Sequence, residues 1–518
     1  MARPATPANA APEAAPADTG LQVYVRMYRA LDPAQAYRGM LGDCFLIRLV
    51  DGQRRSHIMI DCGMLMGSAD AVTRLKHIAK DIVCETGGDE ARPGELDLLV
   101  VTHRHWDHIS GFSQAADILL DQAHLRIANL WLAWPEKDGD PQAARLWAGL
   151  DKAGFALAAL GERVGSDPGL QALDGSKTIR ALNNFLGDAD NVSKHLKGGD
   201  IMTALKKSAI RVDFLEPGAV LPTPRVSTDA PSIRAYVLGP PRDEKLLAKD
   251  DPSSGAAQET YLASSSLSDA ILSFARPNDH DAGSEVPFAP QYCDIEIDQL
   301  ANDIAHDVAL LDDRAWIADH YYRLPGVAAT RQDMLNRRQV DEDWLGAASA
   351  LAMKLDSHIN NTSLALAFDL PDGTSMLFAA DAQVGNWLSW HNQTYRDESG
   401  TEHTAEQILN RTRFYKVGHH GSKNATLDKL GLAMMARGDL VAAIPTDEAF
   451  GKTQGSGWQM PNPRVEQALF DRTRGRIMRN DRRYTPADRA RDPRLAEVPQ
   501  EFFDKLTDDD LYLEYRVL

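Results

Sequence analysis

The sequence predicts an α/β fold, and three observations lead to this prediction. Apolar runs of strand length alternate with segments of helical periodicity over residues 21–241, and the alternation resumes after residue 357. Turns rich in Gly, Pro and Asp separate these segments. The 518 residues, 43% of them hydrophobic, provide a core for one large domain with insertions or for two or three average domains.

The composition limits the function classes and the compartment. A net charge of -18 argues against a protein that coats nucleic acid non-specifically, because neutralising phosphates needs clustered Lys and Arg; a local basic groove stays open. The four cysteines, Cys44, Cys62, Cys84 and Cys293, show no paired spacing, so we expect reduced thiols. Residues 1–20, rich in Ala and Pro, predict a disordered tail. Without a signal peptide or a run of ~20 apolar residues, we expect a cytoplasmic protein with no membrane attachment.

The first part of the chain gives strands and helices in turn. Alternating apolar and polar residues over 21–28 predict a half-buried strand, and an Asp-Gly turn at 51–52 predicts a hairpin between the next two strands. The predicted strands are 21–28, 42–50, 57–63, 96–101, 126–134, 210–215 and 233–238, and the predicted helical segments are 69–84, 110–123 and 140–207.

Residues 242–357 interrupt this pattern. They begin polar and Ser-rich and then show helical periodicity, which predicts a mainly helical insertion or lid that offers a surface for a protein partner. Its histidines, His280, His306 and His320, are each expected at the surface or in packing. The catalytic strands return in residues 358–518, where the predicted strands are 361–368, 375–382, 414–417, 440–445, 475–478 and 511–517 and the predicted helix is 463–473.

The most informative stretch, residues 102–109, lies between a predicted strand and a helix start. It holds His103, His105, Asp107 and His108. His103 and His105 are two residues apart and therefore point the same way in extended backbone, while the other two turn toward a second position. Neutral imidazoles with one carboxylate bind zinc or a similar first-row metal. The turn therefore predicts a site for two adjacent ions; the alternative is a chance cluster of surface histidines.

Two later positions extend this prediction. Asp381 ends a predicted buried strand, where a carboxylate reaches the open edge of a sheet and can bridge two metals; the alternative is an aspartate that caps the next turn. His419 and His420 follow another predicted strand, between glycines that let the backbone approach a ligand closely. One of these two histidines is expected to be the last metal ligand.

The pattern His-x-His-x-Asp-His after a strand is the signature of the metallo-β-lactamase superfamily, and the chain resembles that superfamily. The blocks that look most like its ComEC-type branch, the soluble domain of DNA-uptake proteins, are Gly42-Asp43-Cys44-Phe45-Leu46-Ile47, Asn361-x-Ser363-Leu364-x-Leu366, Leu377-Phe378-x-x-Asp381 and Lys416-Val417-Gly418-His419-His420-Gly421-Ser422-Lys423. The resemblance implies a four-layer αββα metallo-β-lactamase fold, split into 21–241 and 358–518 by the helical insertion. The membrane-spanning helices of ComEC have no counterpart here, so a DNA-transport role does not follow.

The resemblance also implies roles for single residues. Asp61 is expected beneath the site, where it holds the histidine loop without touching metal, or else it caps a helix. Asp107, His420 and Lys423 are the expected catalytic residues. His420, Lys423 or Ser422 is expected to donate to the scissile phosphate, unless His419 and His420 exchange roles. The expected metal ligands are His103, His105, Asp107, His108, Asp381 and His419, which hold one or two Zn²⁺ ions or, alternatively, Mn²⁺.

One departure concerns a third histidine that the superfamily usually supplies ahead of the strand leading to the bridging aspartate. His358 is the candidate for this additional ligand, although the ComEC-type branch commonly has asparagine there. If no histidine is supplied, the first ion has only His103, His105 and Asp381, which favours a single ion or manganese.

The leading expectation for function is a metal-dependent phosphodiesterase or nuclease, in which a metal-bound hydroxide attacks phosphorus. The substrate is then a phosphodiester or nucleic acid, and the nine arginines over 472–494 are a candidate phosphate-binding strip that aspartates partly neutralise. The rival is a hydrolase of a small ester, thioester or lactam on the same metal site. A third interpretation is a binding or sensing module with a degenerate metal site.

Overall fold

The structure is a computed structural model. It describes residues 20–29, 39–68, 70–166, 171, 174–186, 198–249, 352–454 and 457–518, with short pieces between 300 and 318. The predicted disordered tail and most of the predicted insertion lie outside the described residues, as do His280 and His320. Within them the chain is mixed α/β, as the sequence predicts.

The strands of the described residues fall mostly where the periodicity predicts them. They are β1 Gln22–Tyr28, β2 Cys44–Asp51, β3 Arg54–Cys62, β4 Gly94–Leu96, β5 Leu98–Val101, β6 Leu125–Ala133, β7 Ala209–Leu215, β8 Val220–Pro222, β9 Arg234–Gly239, β10 Ala365–Asp369, β11 Ser375–Phe378, β12 Thr394–Arg396, β13 Glu402–Thr404, β14 Thr412–Lys416, β15 Val441–Ile444, β16 Ile477–Arg479, β17 Leu506–Asp508 and β18 Tyr512–Arg516. Sequence analysis missed β4, β8, β12, β13 and β17, because three residues are too few to show a period of two.

The strands form two large mixed sheets. The first has the order β17-β18-β1-β2-β3-β5-β6, and both β4 and β7 also pair with β6. The second has the order β16-β15-β14-β11-β10-β9-β8. β3, β5, β6 and β7 run parallel in the first sheet, as do β11, β14, β15 and β16 in the second. β12 and β13 make a separate hairpin.

The two sheets pack face to face. Val25 and Ile47 of the first sheet share one buried apolar cluster with Val237 and Phe378 of the second. Neighbouring strand residues such as Leu46, Tyr236 and Leu377 face the opposite side and belong to two other clusters, as the alternation of side chains along a strand requires. The central layer of the molecule is therefore the apolar interface between the sheets.

Helices cover the outer face of each sheet. The Ala71–Glu85 and Gly198–Ser208 helices pack on the first sheet, and the Val384–Trp390 and Ala405–Asn410 helices pack on the second. Further helices are Trp106–Ile109, Gly111–Gln114, Ala116–Leu119, Pro141–Ser166, Asp174–Leu186, Glu244–Leu247, Asp312–Ile317, Glu448–Gly451, Pro463–Thr473, Pro486–Arg491, Pro493–Ala496 and Gln500–Asp504, with 3-10 turns at Trp134–Glu136, Gly418–Gly421 and Leu432–Met434. Residues 352–361 are also helical.

Three predicted elements have different bounds in the structure. The helix predicted over 110–123 is broken, because Ala115 leaves the helical conformation with φ -122° and ψ 31°. The strand predicted from residue 361 begins at Ala365, because the preceding helix runs through residue 361. The strand predicted to end at residue 382 ends at Phe378, and the chain turns at Ala380, which has a positive φ of 50°.

Polar residues collect where parallel strands of both sheets end. Asp61 lies at the end of β3 and the histidine loop follows β5, while Asp381 follows β11 and His420 follows β14. Parallel strands deliver their carboxyl ends to one edge of a sheet, so each sheet brings two of these segments together. A backbone hydrogen bond from Leu364 N to Thr102 O, 3.0 Å long, joins the two edges.

Candidate metal centre

The histidine loop, residues 102–109, is short and buried, and its backbone changes from extended to helical along its length. His103 and His105 precede the Trp106–Ile109 helix, and His105 is still extended, with φ -65° and ψ 145°. Asp107 and His108 lie in the first turn of that helix, so they point in another direction from the two preceding histidines. All four side chains are at most 1% exposed. The sequence prediction of two pairs on one turn therefore agrees with the backbone.

Asp61 holds this loop in place through contacts with Thr102 and His108. Its Oδ1 accepts from the Thr102 N–H at 2.8 Å, and its Oδ2 accepts from the Thr102 hydroxyl at 2.7 Å. The same Oδ2 lies 2.8 Å from Nδ1 of His108. An N–H at Nδ1 donates to this carboxylate and leaves Nε2 of His108 facing the site, which is the usual arrangement behind a metal-binding histidine.

The loop is also clamped by close backbone packing. Asp43 N donates to Asp107 O at 2.9 Å, and Gly63 N donates to Asp43 O at 2.9 Å. A Cβ at Gly63 would lie 2.4 Å from Asp107 O, so no side chain fits at this position without moving the loop. The glycine of the Asp-Cys-Gly sequence thus lets the strand end contact the loop directly.

Four buried side chains from both sheets converge beside this loop. Nε2 of His108 lies 3.1 Å from Oδ2 of Asp381, and Nε2 of His420 lies 2.8 Å from Oδ2 of Asp107. We call this group, whose ligand atoms all lie within 4.8 Å of one another, the carboxylate position: Asp107, His108, Asp381 and His420.

The carboxylate position fits a divalent cation. Three of its buried side-chain atoms, Asp107 Oδ1, His108 Nε2 and Asp381 Oδ2, have no hydrogen-bond partner among the described residues. Buried polar atoms are normally paired, since an unpaired one costs about 1–3 kcal/mol. Two imidazoles and two carboxylates are ligands that zinc and manganese accept. The carboxylate position is therefore a possible metal-ligand cluster, and it contains three of the predicted ligands, Asp107, His108 and Asp381.

A buried ammonium group fixes the orientation of Asp381. Lys416 Nζ lies 3.3 Å from Oδ1 of Asp381, donates to Ala380 O at 3.0 Å and forms an ion pair with Asp43. The backbone N–H of His419 also donates to Oδ1 of Asp381, at 3.0 Å. Oδ1 is thus held, and Oδ2 is the oxygen that faces His108. Sequence analysis assigned no role to Lys416 or Asp43.

The two adjacent histidines have different surroundings. Nδ1 of His420 lies 2.8 Å from Pro445 O, so an N–H there donates to the carbonyl and Nε2 points into the carboxylate position. His419 is not part of that group, and its contact with Asp381 is through the backbone. Sequence analysis favoured His419 as the ligand and left the reverse open; the geometry brings His420 to the other ligands.

Two residues that sequence analysis missed lie beside His105. Asn360 Oδ1 is 2.9 Å from His105 Nδ1, and Asp356 Oδ1 is 3.6 Å from His105 Nε2. His103 Nε2 lies 3.1 Å from the same Nδ1 of His105. Asp356 and Asn360 are four residues apart on the 352–361 helix, so they share one helix face. This i, i+4 spacing of polar residues in a helical stretch is the sequence signal that could have revealed them.

Two other predicted site residues lie elsewhere. His358 is on the same helix, but it lines a cavity of about 340 Å³ together with Gln142, Arg145 and Leu355. Lys423 is exposed, whereas the residues of the carboxylate position are buried. The structure therefore does not bring His358 or Lys423 to the ligand atoms.

Burial keeps two of the histidines neutral. It lowers the pKa of His103 well below its usual value, and the neighbouring rings of His108 and His105 lower this pKa further. Burial also lowers the pKa of His105 to about 4. Both imidazoles are therefore uncharged near pH 7, which is the form that binds metals.

The carboxylate position instead favours positive charge. Burial opposes a charged His108, but carboxylates led by Asp381 outweigh burial and raise the pKa of His108 well above its usual value. Burial likewise opposes a charged His420, and its hydrogen bond with Asp107 raises its pKa. For Asp381, burial is outweighed by His108 and Lys416, which hold its pKa well below the usual value. A bound cation would supply this positive charge instead of protons, and the two imidazoles would then be neutral.

Backbone strain is concentrated at this centre. Asp61, Ala380, His419 and His420 have φ values of 55°, 50°, 43° and 51°. Among the described residues these are four of the six non-glycine residues with positive φ. Such conformations cost about 1–3 kcal/mol each and persist where surrounding contacts impose them, typically at functional sites.

Four of the nine arginines in the stretch near the carboxyl end, Arg479, Arg482, Arg483 and Arg494, pair with carboxylates. Arg479, which is 2% exposed, contacts Asp481 at 2.7 Å, Glu466 at 2.9 Å and Glu448 at 2.8 Å. Arg482 also pairs with Glu466, at 3.0 Å. These arginines hold elements together, so the predicted phosphate-binding strip gains no support from their contacts.

Comparisons with known proteins find no match. No family model, no curated protein and no solved structure matches the chain. No helix of the described residues has both the length and the apolar character needed to cross a membrane. Function is therefore inferred from the chemistry of the site itself.

Proposed function

We propose that the protein is a metal-dependent hydrolase of the metallo-β-lactamase superfamily that cleaves phosphodiesters, as a phosphodiesterase or nuclease. The observation that carries this proposal is the carboxylate position, where four buried side chains converge and three of their polar atoms have no hydrogen-bond partner among the described residues. Two ligands come from the first sheet and two from the second, so the fold is built to bring them together.

The architecture and the histidine motif both favour the superfamily. Two sheets packed face to face, with helices on both outer faces, match the layers that the αββα fold implies. The His-x-His-x-Asp-His loop lies at the strand ends where the two sheets meet. An aspartate after β11 and a histidine after β14 complete the set that the resemblance implies.

The protein's own residues orient the ligand side chains and provide the charges of the site. When bound, one or two divalent ions would activate a water molecule as the nucleophile and neutralise charge that develops on the reacting phosphate. Asp61 holds His108 with Nε2 toward Asp381, and Lys416 holds one oxygen of Asp381 so that the other faces His108. Because the ligands are buried, their charges act in a low dielectric and are weakly screened.

A cleft beside His105 can receive the substrate. Its volume is about 440 Å³, and it is lined by Arg104, Trp147 and Phe155 among others. Phe155 is 46% exposed, and the Arg104 guanidinium lies 3.5 Å from the ring centroid of Trp147. A cavity of this size takes a small molecule or a single nucleotide, whose base can stack on an exposed aromatic ring.

The test is metal content together with hydrolysis of bis-p-nitrophenyl phosphate in wild type and Asp381→Ala. We expect wild type to bind zinc or manganese and to turn over the substrate. In the variant we expect loss of metal and a rate lower by more than ~100-fold, because mutating a residue that only hydrogen-bonds to a ligand already costs 10–100-fold, and Asp381 is proposed to be a ligand itself. Asp439→Ala is the matched control, since Asp439 is an exposed carboxylate that pairs with Arg413 and Arg437.

Two outcomes would end the proposal. One is metal-loaded protein that cleaves neither bis-p-nitrophenyl phosphate, DNA, RNA nor cyclic dinucleotides. The other is equal turnover by wild type and Asp381→Ala, which would place any hydrolysis outside this centre. A protein that takes up no zinc at all would instead favour the binding or sensing module.

A second candidate, hydrolysis of a small ester, thioester or lactam at the same centre, is favoured by the charges around the cleft. Arg104 is paired with Glu136 at 2.8 Å, and Asp151 and Asp200 also line the cleft. Such a lining is not the basic surface that polyphosphate chains require. Nitrocefin or thioester turnover that exceeds phosphodiester turnover in the same metal-loaded preparation would make this the function.

A further inference from the structure

We infer that the cleft beside His105 is a guanine-binding subsite, and that Asp151 is its specificity-determining residue. The cleft has a volume of about 440 Å³. This inference rests on the proposed function, because a base in the cleft belongs to a phosphodiester whose reacting phosphate lies at the carboxylate position. The substrate class is then a small phosphodiester of guanosine.

The cleft adjoins the candidate metal centre through His105. This histidine lines the cleft, and its Nδ1 lies 3.1 Å from Nε2 of His103 in the histidine loop. A group that binds in the cleft therefore lies next to the loop that carries Asp107 and His108. This is the place for the part of a substrate that does not react.

A single helix face forms one side of the cleft. Trp147, Asp151 and Phe155 all line it and follow one another at intervals of four residues in the Pro141–Ser166 helix. Residues four apart are neighbours on a helix surface, so an aromatic ring lies on each side of the carboxylate. Phe155 is 46% exposed. A base that lies against this face can stack on an aromatic ring and reach Asp151.

Arg104 provides a fixed cation in the cleft. Its Nε and Nη2 donate to Glu136 at 2.8 Å and 2.9 Å, and its guanidinium lies 3.5 Å from the ring centroid of Trp147. Nη1 takes no part in the pair with Glu136. A Cβ at Gly199, which also lines the cleft, would lie 3.7 Å from this Nη1. Because glycine has no side chain, Nη1 is not covered from this position and can donate to a ligand.

Asp151 provides an acceptor beside this cation. Among the residues that the structure describes, no hydrogen bond or ion pair engages the Asp151 carboxylate. Burial raises the pKa of Asp151, and the charge of Arg104 opposes part of this rise. The two side chains therefore lie close enough for their charges to interact, and the carboxylate oxygens are available to a ligand.

A cation and an available carboxylate in one cleft match guanine among the bases. Guanine presents the acceptors O6 and N7, which arginine contacts, and it presents the donors N1–H and N2–H₂ on its Watson–Crick edge. Two parallel N–H donors fit the two oxygens of a carboxylate. On the same edge adenine and cytosine have an unprotonated ring nitrogen and uracil has two carbonyls, and a carboxylate repels these acceptors.

A second carboxylate limits the size of the substrate. Asp200, in the first turn of the Gly198–Ser208 helix, also lines the cleft. Two carboxylates beside one arginine repel additional phosphate groups, whereas a nucleic acid strand needs a basic surface. The cleft therefore favours a single guanosine nucleotide over a strand.

Calorimetric titration of the full chain with purine nucleoside 5′-monophosphates, in the presence of zinc, tests the inference without requiring turnover. We expect the guanosine nucleotide to bind ~10–100-fold more tightly than the adenosine nucleotide, the range of discrimination that a bidentate contact provides. The inosine nucleotide, which lacks the N2 amino group, should lie between them.

Two variants and a control examine Asp151. Asp151→Asn should reduce the guanosine preference to below ~3-fold, because the carboxamide offers one oxygen and a donor that repels guanine N–H groups. Asp151→Glu, which keeps the carboxylate, should retain part of the preference. Glu162→Gln removes another exposed carboxylate of the same helix, outside the cleft, and should bind as wild type does. The p-nitrophenyl esters of the guanosine and adenosine nucleotides should show the same order in kcat/KM.

The outcomes separate this inference from the proposed function. Equal binding of the guanosine and adenosine nucleotides in wild type overturns the guanine subsite, and so does a preference that survives in Asp151→Asn. A wild type that cleaves bis-p-nitrophenyl phosphate, which has no base, but shows no guanosine preference loses the subsite alone. A wild type that prefers the guanosine nucleotide but cleaves no phosphodiester keeps the subsite and loses the proposed function.

Discussion

The carboxylate position and the cluster around Arg479, which is buried apart from Glu448, are both groups of charged side chains, but their hydrogen bonding differs. The Arg479 guanidinium donates to Asp481, Glu466 and Glu448 at 2.7 to 2.9 Å. Among the described residues, none of these four side chains has a buried atom without a partner, whereas the carboxylate position has three such atoms. A satisfied cluster joins structural elements, while an unsatisfied one favours a ligand. Hydrogen-bond completeness therefore distinguishes the Arg479 cluster from the candidate metal centre.

Arg479→Ala should give the largest change in folding. Removing the guanidinium leaves the carboxylates of Glu466 and Asp481 without their buried partner, so the free energy of unfolding should fall by about 3 kcal/mol. Urea denaturation measures this loss. Arg437→Ala, which removes a half-buried arginine paired with Asp439, should cost less than ~1 kcal/mol. Loss of bound metal in Arg479→Ala without loss of stability would contradict the structural role.

Zinc should stabilise the protein through the other cluster. A ligand that binds only the folded state at 100 times its dissociation constant adds about 2.7 kcal/mol to the free energy of unfolding. We expect this gain in wild type and in Arg479→Ala, and its loss on chelation. Asp381→Ala should show no gain. Equal stabilisation of Asp381→Ala would mean that zinc binds elsewhere, and the contrast between the clusters would fail.

Asp61→Asn should have an intermediate effect. The amide has the shape of the carboxylate but loses the charge that holds His108 by Nδ1, so zinc affinity should fall by ~10–100-fold. Calorimetric titration gives the value. Asp97→Asn is the matched control, because Asp97 accepts from His57 N at 2.8 Å outside the centre. An unchanged zinc affinity in Asp61→Asn would show that Asp61 does not orient His108 for metal binding.

Glu448→Gln should have the smallest effect on the free energy of unfolding, and this effect should disappear at acidic pH. Burial acts to raise the pKa of Glu448, but Lys452 and Arg479 outweigh it and lower this pKa from 4.5 to about 2. A lowered folded-state pKa stabilises the fold above pH 4.5, and the contribution disappears as the pH falls toward 2. Solvent screens this carboxylate, which is 37% exposed, so the difference should stay under ~1 kcal/mol. Urea denaturation from pH 6 to pH 2.5 should show the difference shrinking; a constant difference would contradict it.

Local patterns predicted the parts of the fold that depend on local chemistry. The alternation of Val23, Val25 and Met27 identifies β1, and the loop after β5 is recognisable because four candidate ligands, three histidines and one aspartate, lie within six residues. Both strand periodicity and metal-ligand spacing are properties of neighbouring residues. Most of the strands, and the loop between β5 and the next helix, follow from them.

The rest depends on contacts between distant residues. Asn360 reaches His105 across 255 positions, through a helix whose place is set by tertiary packing. The assignment of His420 instead of His419 depends on two successive left-handed backbone conformations, which no periodicity reveals. The arginine-rich stretch was ambiguous for the same reason, since the partners of Arg479 include Glu448, 31 positions away.

The contact between Asp107 and His420 has a consequence for biosynthesis. These residues are 313 positions apart, and the sheet that carries His420 is completed only after β16 has been synthesised. At roughly 5–20 residues per second, the ribosome needs about 15–60 s to advance from one residue to the other. A nascent chain therefore exposes the histidine loop well before its partners exist. Under the proposed function, stable metal uptake therefore follows the docking of the two sheets.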